Sequence, residues 1–258
     1  MSLRKTYLFL LAVFTIFCIW MIGYVVVASP MLLPDPYTVF KAFIGIFGSW
    51  SSLSSILMTI MRLVIALLVA FLVGGILGTL AGFHKNFSVF MQPFVAILRT
   101  IPVISVIVII LIFFGFKISP YVITFLMIFP LIYQTFHDGI TDIDQELVDV
   151  YRLEDNHWFT GMRYCYLPLI KNQITTVLLQ SAGLGIKVLV MSEYLSQTRN
   201  SIGNSLYLAK INLAYDQVFA WTLILILMTI SIELVINHFK NREQKIIIEN
   251  KTARTKLD

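Results

Sequence analysis

Residues 56–82 read ILMTIMRLVIALLVAFLVGGILGTLAG, a run with one charge, Arg62, and no proline. It is continuously apolar rather than alternating, and longer than the roughly 20 residues a helix needs to cross a hydrocarbon layer about 30 Å thick. Such a segment must be buried in a large core or in lipid, and composition decides between them. Of 258 residues, 58% are apolar and 13% charged, against about 45–50% and 25% in soluble domains. Mean hydropathy is +0.85. Half the usual charge cannot cover a globule of this size, so the stretch reads as a membrane span.

Five more stretches qualify, at about 7–28, 88–114, 118–137, 173–196 and 216–239. Lipid offers unpaired backbone groups no partner, so each must be a helix. The expected fold is all-α: a polytopic membrane protein of about six transmembrane helices. The first stretch begins behind Arg4 and Lys5 and ends in Val26-Val27-Ala28, loosely like a signal-peptide cleavage site. Its apolar run of about 21 residues exceeds the 7–15 of a signal core, so it reads as a retained span. The chain then divides into a first span (1–29), a core of five spans (30–240) and a charged cytoplasmic tail (241–258). Pro30, Pro34 and Pro36 prevent a continuous helix after the first span. Cys18 and Cys165 make no disulfide framework and read as small core hydrophobes.

Orientation follows from the cations. With the N-terminus inside, twelve of the nineteen Lys and Arg residues fall in cytoplasmic segments. Four (Lys41, Lys117, Arg199, Lys210) fall outside, and Arg62, Arg99 and Lys187 lie within spans. The positive-inside rule therefore predicts a multi-pass protein of the cell membrane with both termini cytoplasmic. The net charge of +5 is accounted for by that asymmetry, with no nucleic acid implied.

The longest cytoplasmic loop, 141–168, reads TDIDQELVDVYRLEDNHWFTGMRYCYLP. Asp142 with Gln145 predicts a capped helix start, and Leu147, Val150 and Tyr151 share one face. Asp155-Asn156 forms a turn, Trp158, Met162, Cys165 and Tyr166 make a second stripe, and Pro168 ends that helix before the fifth span. The loop is thus a helical hairpin between spans four and five, either an interfacial element packed under the bundle or a docking surface for a cytoplasmic partner.

A charge near the bilayer centre costs at least about 2.5–3.5 kcal/mol and needs a partner or water. Arg99, followed by the kinking Pro102, lies in the third span; Lys187 sits in the middle of the fifth, with Glu193 toward its outer end. These residues form either an ion-pair network between helices or the wall of a translocation pathway that favours an anion. Arg62, nearer the outer half, is explained by snorkelling. Gly74, Gly78 and Gly82 recur every four residues and predict close helix packing. His84, His137, His157 and His238 are scattered and make no metal site. No phosphate-binding Gly-x-x-x-x-Gly-Lys-Ser/Thr sequence is present, so the chain is not an ATPase.

The loop resembles the coupling-helix signature of the permease subunits of ABC importers, Glu-Ala-Ala, three residues, Gly, then twelve residues to Pro. Counted back from Leu167-Pro168, Asp149-Val150-Tyr151 stands at Glu-Ala-Ala and Asp155 at the Gly, with Asn156 after it. Asp149 keeps the carboxylate; Asp155 and Asn156 replace Gly and the usual Ala. The resemblance covers roughly 30–240 and is nearest the nitrate/sulfonate/taurine-type subfamily. Leu33-Pro34-Asp35-Pro36, Thr59-Ile60-Met61-Arg62, Leu98-Arg99-Thr100-Ile101-Pro102, Ser192-Glu193 and Ser201-Ile202-Gly203 carry it. It implies coupling to the ATPase through Leu147, Asp149, Val150, Tyr151, Arg152, Asp155, Asn156, Trp158, Met162, Leu167 and Pro168. It also implies two permease copies, identical in the simplest case, with two cytoplasmic ATPases that bind the ATP and Mg, an extracytoplasmic solute-binding protein, and alternating access. This chain holds no cofactor of its own. The solute would be a sulfonate-, taurine- or nitrate-like anion or a vitamin precursor. The rival reading is a secondary transporter driven by an ion gradient, with Lys187 and Glu193 as its relay.

Overall fold

A computed structural model describes residues 3–29, 32–144, 146 and 158–254. The described chain is helical: α1 (Leu3–Val27), α2 (Pro36–Phe47), α3 (Trp50–Phe83), α4 (Lys85–Thr100), α5 (Val103–Thr141), a single turn α6 (Trp158–Gly161), α7 (Leu167–Ser196), α8 (Ile202–Ile211) and α9 (Tyr215–Arg254). Five helical runs are long and apolar enough to cross a membrane: Leu10–Val27, Trp50–Phe83, Val103–Thr141, Met162–Ser196 and Tyr215–Ile236. The protein is an all-α polytopic membrane protein.

The third and fourth apolar stretches are cut differently from the sequence expectation. Pro102 donates no backbone hydrogen bond and pushes its predecessor out of the helical region. Ile101 accordingly sits at φ −66°, ψ 131°, and α4 stops at Thr100. The chain then runs on in α5, which kinks at Gly115, whose φ of 66° and ψ of 178° suit glycine alone. Stretch 88–114 is therefore split at Ile101-Pro102, and its second part joins stretch 118–137 through the Gly115 kink.

The proline segment after α1 behaves as expected. Pro36 stands in the first turn of α2, where a missing N–H costs nothing. Asp35 caps that helix, accepting from the Thr38 amide at 3.2 Å and the Thr38 hydroxyl at 2.6 Å. The Thr38 hydroxyl holds the Asp35 carboxyl below its usual range.

From Ser119 to Ile140 no residue of α5 is exposed, which makes this the central helix. It packs chiefly on α3 and α7. In lipid, apolar area alone does not drive helices together, so close approach depends on small residues and polar ties. Gly74, Gly78 and Gly82 supply the first: side chains of α5 lie where their Cβ atoms would be, with Ile132 at Gly74, Phe136 at Gly78 and Ile140 at Gly82.

Two details of the loop differ from expectation. Asp142 is the C-cap of α5 rather than the start of a new helix; the Asp144 carboxylate accepts from the Glu146 amide at 3.1 Å. Pro168 does not end the preceding helix. The backbone widens into a π-turn over Met162–Tyr166, where the Leu167 amide reaches the Met162 carbonyl, and Pro168 falls in the first turn of α7. Helix therefore runs on from Trp158 to Ser196. Leu147, Asp149, Val150, Tyr151, Arg152, Asp155 and Asn156 lie outside the described residues.

Candidate functional site

The bundle has two ends. One holds the Gly115 kink and the 197–201 segment; the other holds the His84 turn, the end of α5 and the start of α7. A polar surface begins at this second end and runs along three helices.

On α4, Ser88, Gln92 and Arg99 fall at i, i+4 and i+11 and share one face. On α7, Gln173, Thr176, Gln180 and Lys187 do the same at i, i+3, i+7 and i+14, all of them exposed. Between them α5 supplies Gln134 and Asp138. The Gln134 amide donates to both Asp138 oxygens at 2.8 and 2.9 Å. His137 Nδ1 meets the same carboxylate at 2.8 Å, and its Nε2 lies 2.8 Å from Ser88 Oγ on α4. A carboxylate only accepts, so Nδ1–H donates to Asp138. This relay ties α4 to α5, and His137 is also stacked on Tyr133.

Two clefts lie on this surface. One, of about 390 Å³, runs between α4 and α5 and is lined by Gln92, Arg99, Gln134 and His137. The other, of about 400 Å³, lies between α5 and α7 and is lined by Asp138, Asp142, Gln173, Thr176 and Gln180. The Gln134–Asp138 hydrogen bonds form the ridge between them. At 1.5 Å per residue, Arg99 stands about 16 Å beyond Ser88 and Lys187 about 21 Å beyond Gln173, so each polar stripe leads inward to one cation. Neither cation has a hydrogen bond or ion pair to a described residue. Pro102 is exposed, just past Arg99, at the break after α4.

Glu193 is placed elsewhere. It is fully buried at the kink end, where it pairs with Arg62 at 2.8 Å. The Thr59 hydroxyl lies 3.0 and 3.1 Å from its two oxygens, and the Gly203 amide donates to it at 3.3 Å. Arg62 also donates to the carbonyls of Asn200, at 3.1 Å, and Arg199, at 3.2 Å. Thr59 Oγ1 accepts in turn from the Ile202 amide at 3.1 Å. This knot fastens α3, α7 and the start of α8 together. Gly203 is required there, since a Cβ would fall against Glu193 and the Tyr194 amide. Arg62 is 5% exposed, so the snorkelling expectation is wrong: the guanidinium turns inward because a buried carboxylate and two carbonyls await it. An intramembrane ion pair is thus present, with Arg62 as its cation rather than Arg99 or Lys187.

Of the loop residues, Met162 is half-buried and Leu167 and Pro168 are exposed; Tyr166 packs edge-on against Phe83 of α3 at 4.8 Å. Sequence reasoning singled out Arg99 and Lys187 but missed the amides and hydroxyls leading to them. Their helical spacing within otherwise apolar stretches was the available signal. Neither the His137–Ser88 tie nor the Thr59–Glu193 contact has a local signature, because each joins residues far apart in the chain.

Residues 70–245 match the family described as "Binding-protein-dependent transport system inner membrane component". The chain is also 27% identical over 185 residues to a protein of Bacillus subtilis (strain 168) named as an aliphatic sulfonates transport permease, SsuC. That alignment covers 71% of this chain and 67% of the relative.

Proposed function

The chain belongs to the family of binding-protein-dependent transport inner membrane components, and from that premise we propose that its polar face is one wall of the pathway for a small anionic solute. It is a transmembrane permease of an ATP-binding-cassette importer of the sulfonate type, not an enzyme. Such permeases work with a separate ATPase and a solute-binding protein.

The observation that carries the pathway reading is that two polar stripes, on α4 and α7 either side of α5, each lead to an exposed cation, Arg99 and Lys187. A face that carries lone cations between apolar flanks is unsuited to lipid. A second copy of the chain, set face to face with the first, would enclose it. The end that holds the His84 turn is then cytoplasmic, as are both termini, and the kink end receives the binding protein. Pro102 loosens the backbone at the deep end of the α4 stripe, and the Glu193 knot fixes the opposite gate. ATP-driven closure of the ATPase pair favours one of two arrangements of the helices, so the face opens alternately to either side. A sulfonate is the solute that best suits two cations and no paired acid beside them.

Coupling runs through the loop. Asp149→Lys should abolish ATPase co-purification from detergent-solubilised membranes while leaving membrane insertion intact. Normal co-purification and normal uptake in that variant would overturn the docking role. Lys187→Met should lower ethanesulfonate uptake about tenfold or more in proteoliposomes holding the complete transporter, since a charge-assisted hydrogen bond contributes about 1.5–3 kcal/mol. Unchanged uptake would leave Lys187 outside the pathway. Affinity purification with mass spectrometry of the bound proteins tests the assembly as a whole, and a chain that purifies alone and transports without ATP would refute it.

A further inference from the structure

Arg99 has no partner among the described residues, and a cleft opens beside it. We infer that the cleft between α4 and α5 is a binding site for a singly charged oxyanion, with Arg99 as its counter-charge. This rests on the permease reading and gives its pathway a defined stop.

Three observations converge. First, Arg99 stands exposed in the last turn of α4 and has no hydrogen bond or ion pair to a described residue. A guanidinium carries five N–H donors and stays charged at every accessible pH. Exposed at the edge of a cleft, those donors are open to an acceptor from outside the chain. Second, no acid lines the cleft among the described residues, and Asp138, on the ridge beside it, is engaged by Gln134 and His137. Third, Arg99 borders a preformed cleft of about 390 Å³ rather than a packed surface. Its walls are tied together at one end by the Ser88–His137 contact, and Gln92 and Gln134 offer further polar contact to the body of a ligand.

The matching chemistry is a tetrahedral or planar oxyanion, which takes two parallel N–H donors from one guanidinium. A sulfonate solute and the phosphate of a lipid head group both present it. Lysine would hold such a group as a point charge only, so Arg99→Lys should bind less well than arginine and better than glutamine.

The test uses the full chain in phosphatidylcholine nanodiscs with trifluoromethanesulfonate as probe, read by fluorine NMR line broadening. Saturable broadening is expected in the wild type. Arg99→Gln should weaken it about tenfold to a hundredfold, the effect of losing a charge-assisted pair. Lys41→Gln, which removes the same charge from α2, should leave it unchanged. Displacement of the probe by ethanesulfonate but not by added phosphatidylglycerol assigns the site to a solute head group; displacement by phosphatidylglycerol assigns it to lipid. Absence of saturable broadening, or equal broadening in Arg99→Gln, overturns the site. Co-purification of the ATPase with each variant checks folding and separates the two readings. A chain that holds its ATPase but no probe fails this inference alone, whereas one that binds probe but no ATPase fails the permease reading.

Discussion

Glu193→Ala should leave the Arg62 guanidinium buried without its counter-charge and lower the stability of the solubilised chain by about 3–5 kcal/mol, the cost of breaking a buried pair from one side. The carboxylate serves Arg62, Thr59 and the Gly203 amide together, so its removal also frees the start of α8. Limited proteolysis should then cut within 197–201 before any other site. Glu193→Gln keeps acceptors for Thr59 and Gly203 but loses the charge, and should fall between alanine and wild type. Changing both partners to Met removes the uncompensated charge and should recover much of the loss. Thermal unfolding in detergent decides: a single alanine variant that melts with the wild type, or a double variant no better than the single, would show that the knot is dispensable.

Gly78→Val should separate α3 from α5. A Cβ at Gly78 falls on the Tyr133 carbonyl oxygen and 2.8 Å from Phe136 Cβ, positions that backbone and a packed aromatic cannot vacate. Overpacking of this kind costs about 1–3 kcal/mol. Because the displaced helix is the central one, the polar stripes on either side of it should lose register too, and uptake should fall with stability. Gly45→Ala is the contrast. Nothing lies within 4 Å of its Cβ, and alanine within a helix is favoured by roughly 0.5–1 kcal/mol. Equal thermal midpoints for the Gly78 and Gly45 variants would remove the α3–α5 seam from the account.

Hydropathy made the class legible because a span is read over some twenty residues, and one misplaced polar group does not alter that sum. Breaks and partners depend on single residues and were harder to read. Pro102 and Pro168 look alike in sequence, yet one ends a helix and the other stands in the first turn of the next, joined to α6 by a π-turn in which Tyr166 packs on Phe83. Gly115 gave no warning of its kink, since glycine within an apolar run fits a helix almost as well. Arg62 was misread for a related reason: a guanidinium's direction is set by acceptors on α7 and in the 197–201 segment, about 130 residues away. Arg99 and Lys187 could be singled out as charges in apolar runs. That they stand at the ends of parallel stripes required the helices to be laid side by side.

The π-turn has a mechanical meaning. Because Pro168 does not interrupt the chain, the helix from Trp158 to Ser196 is one stiff rod about 58 Å long at 1.5 Å per residue. One end emerges where the loop begins and the other is clamped in the Arg62–Glu193 knot. A rod pivoting at its clamp magnifies angle into distance: about 5° of tilt sweeps the free end through about 5 Å, close to one helical turn. A jointed connection would absorb a push of that size within its own hinge. On the coupling proposed above, a push at the free end would be carried along the rod toward the clamped end, with the wider π-turn as a softer link on the way.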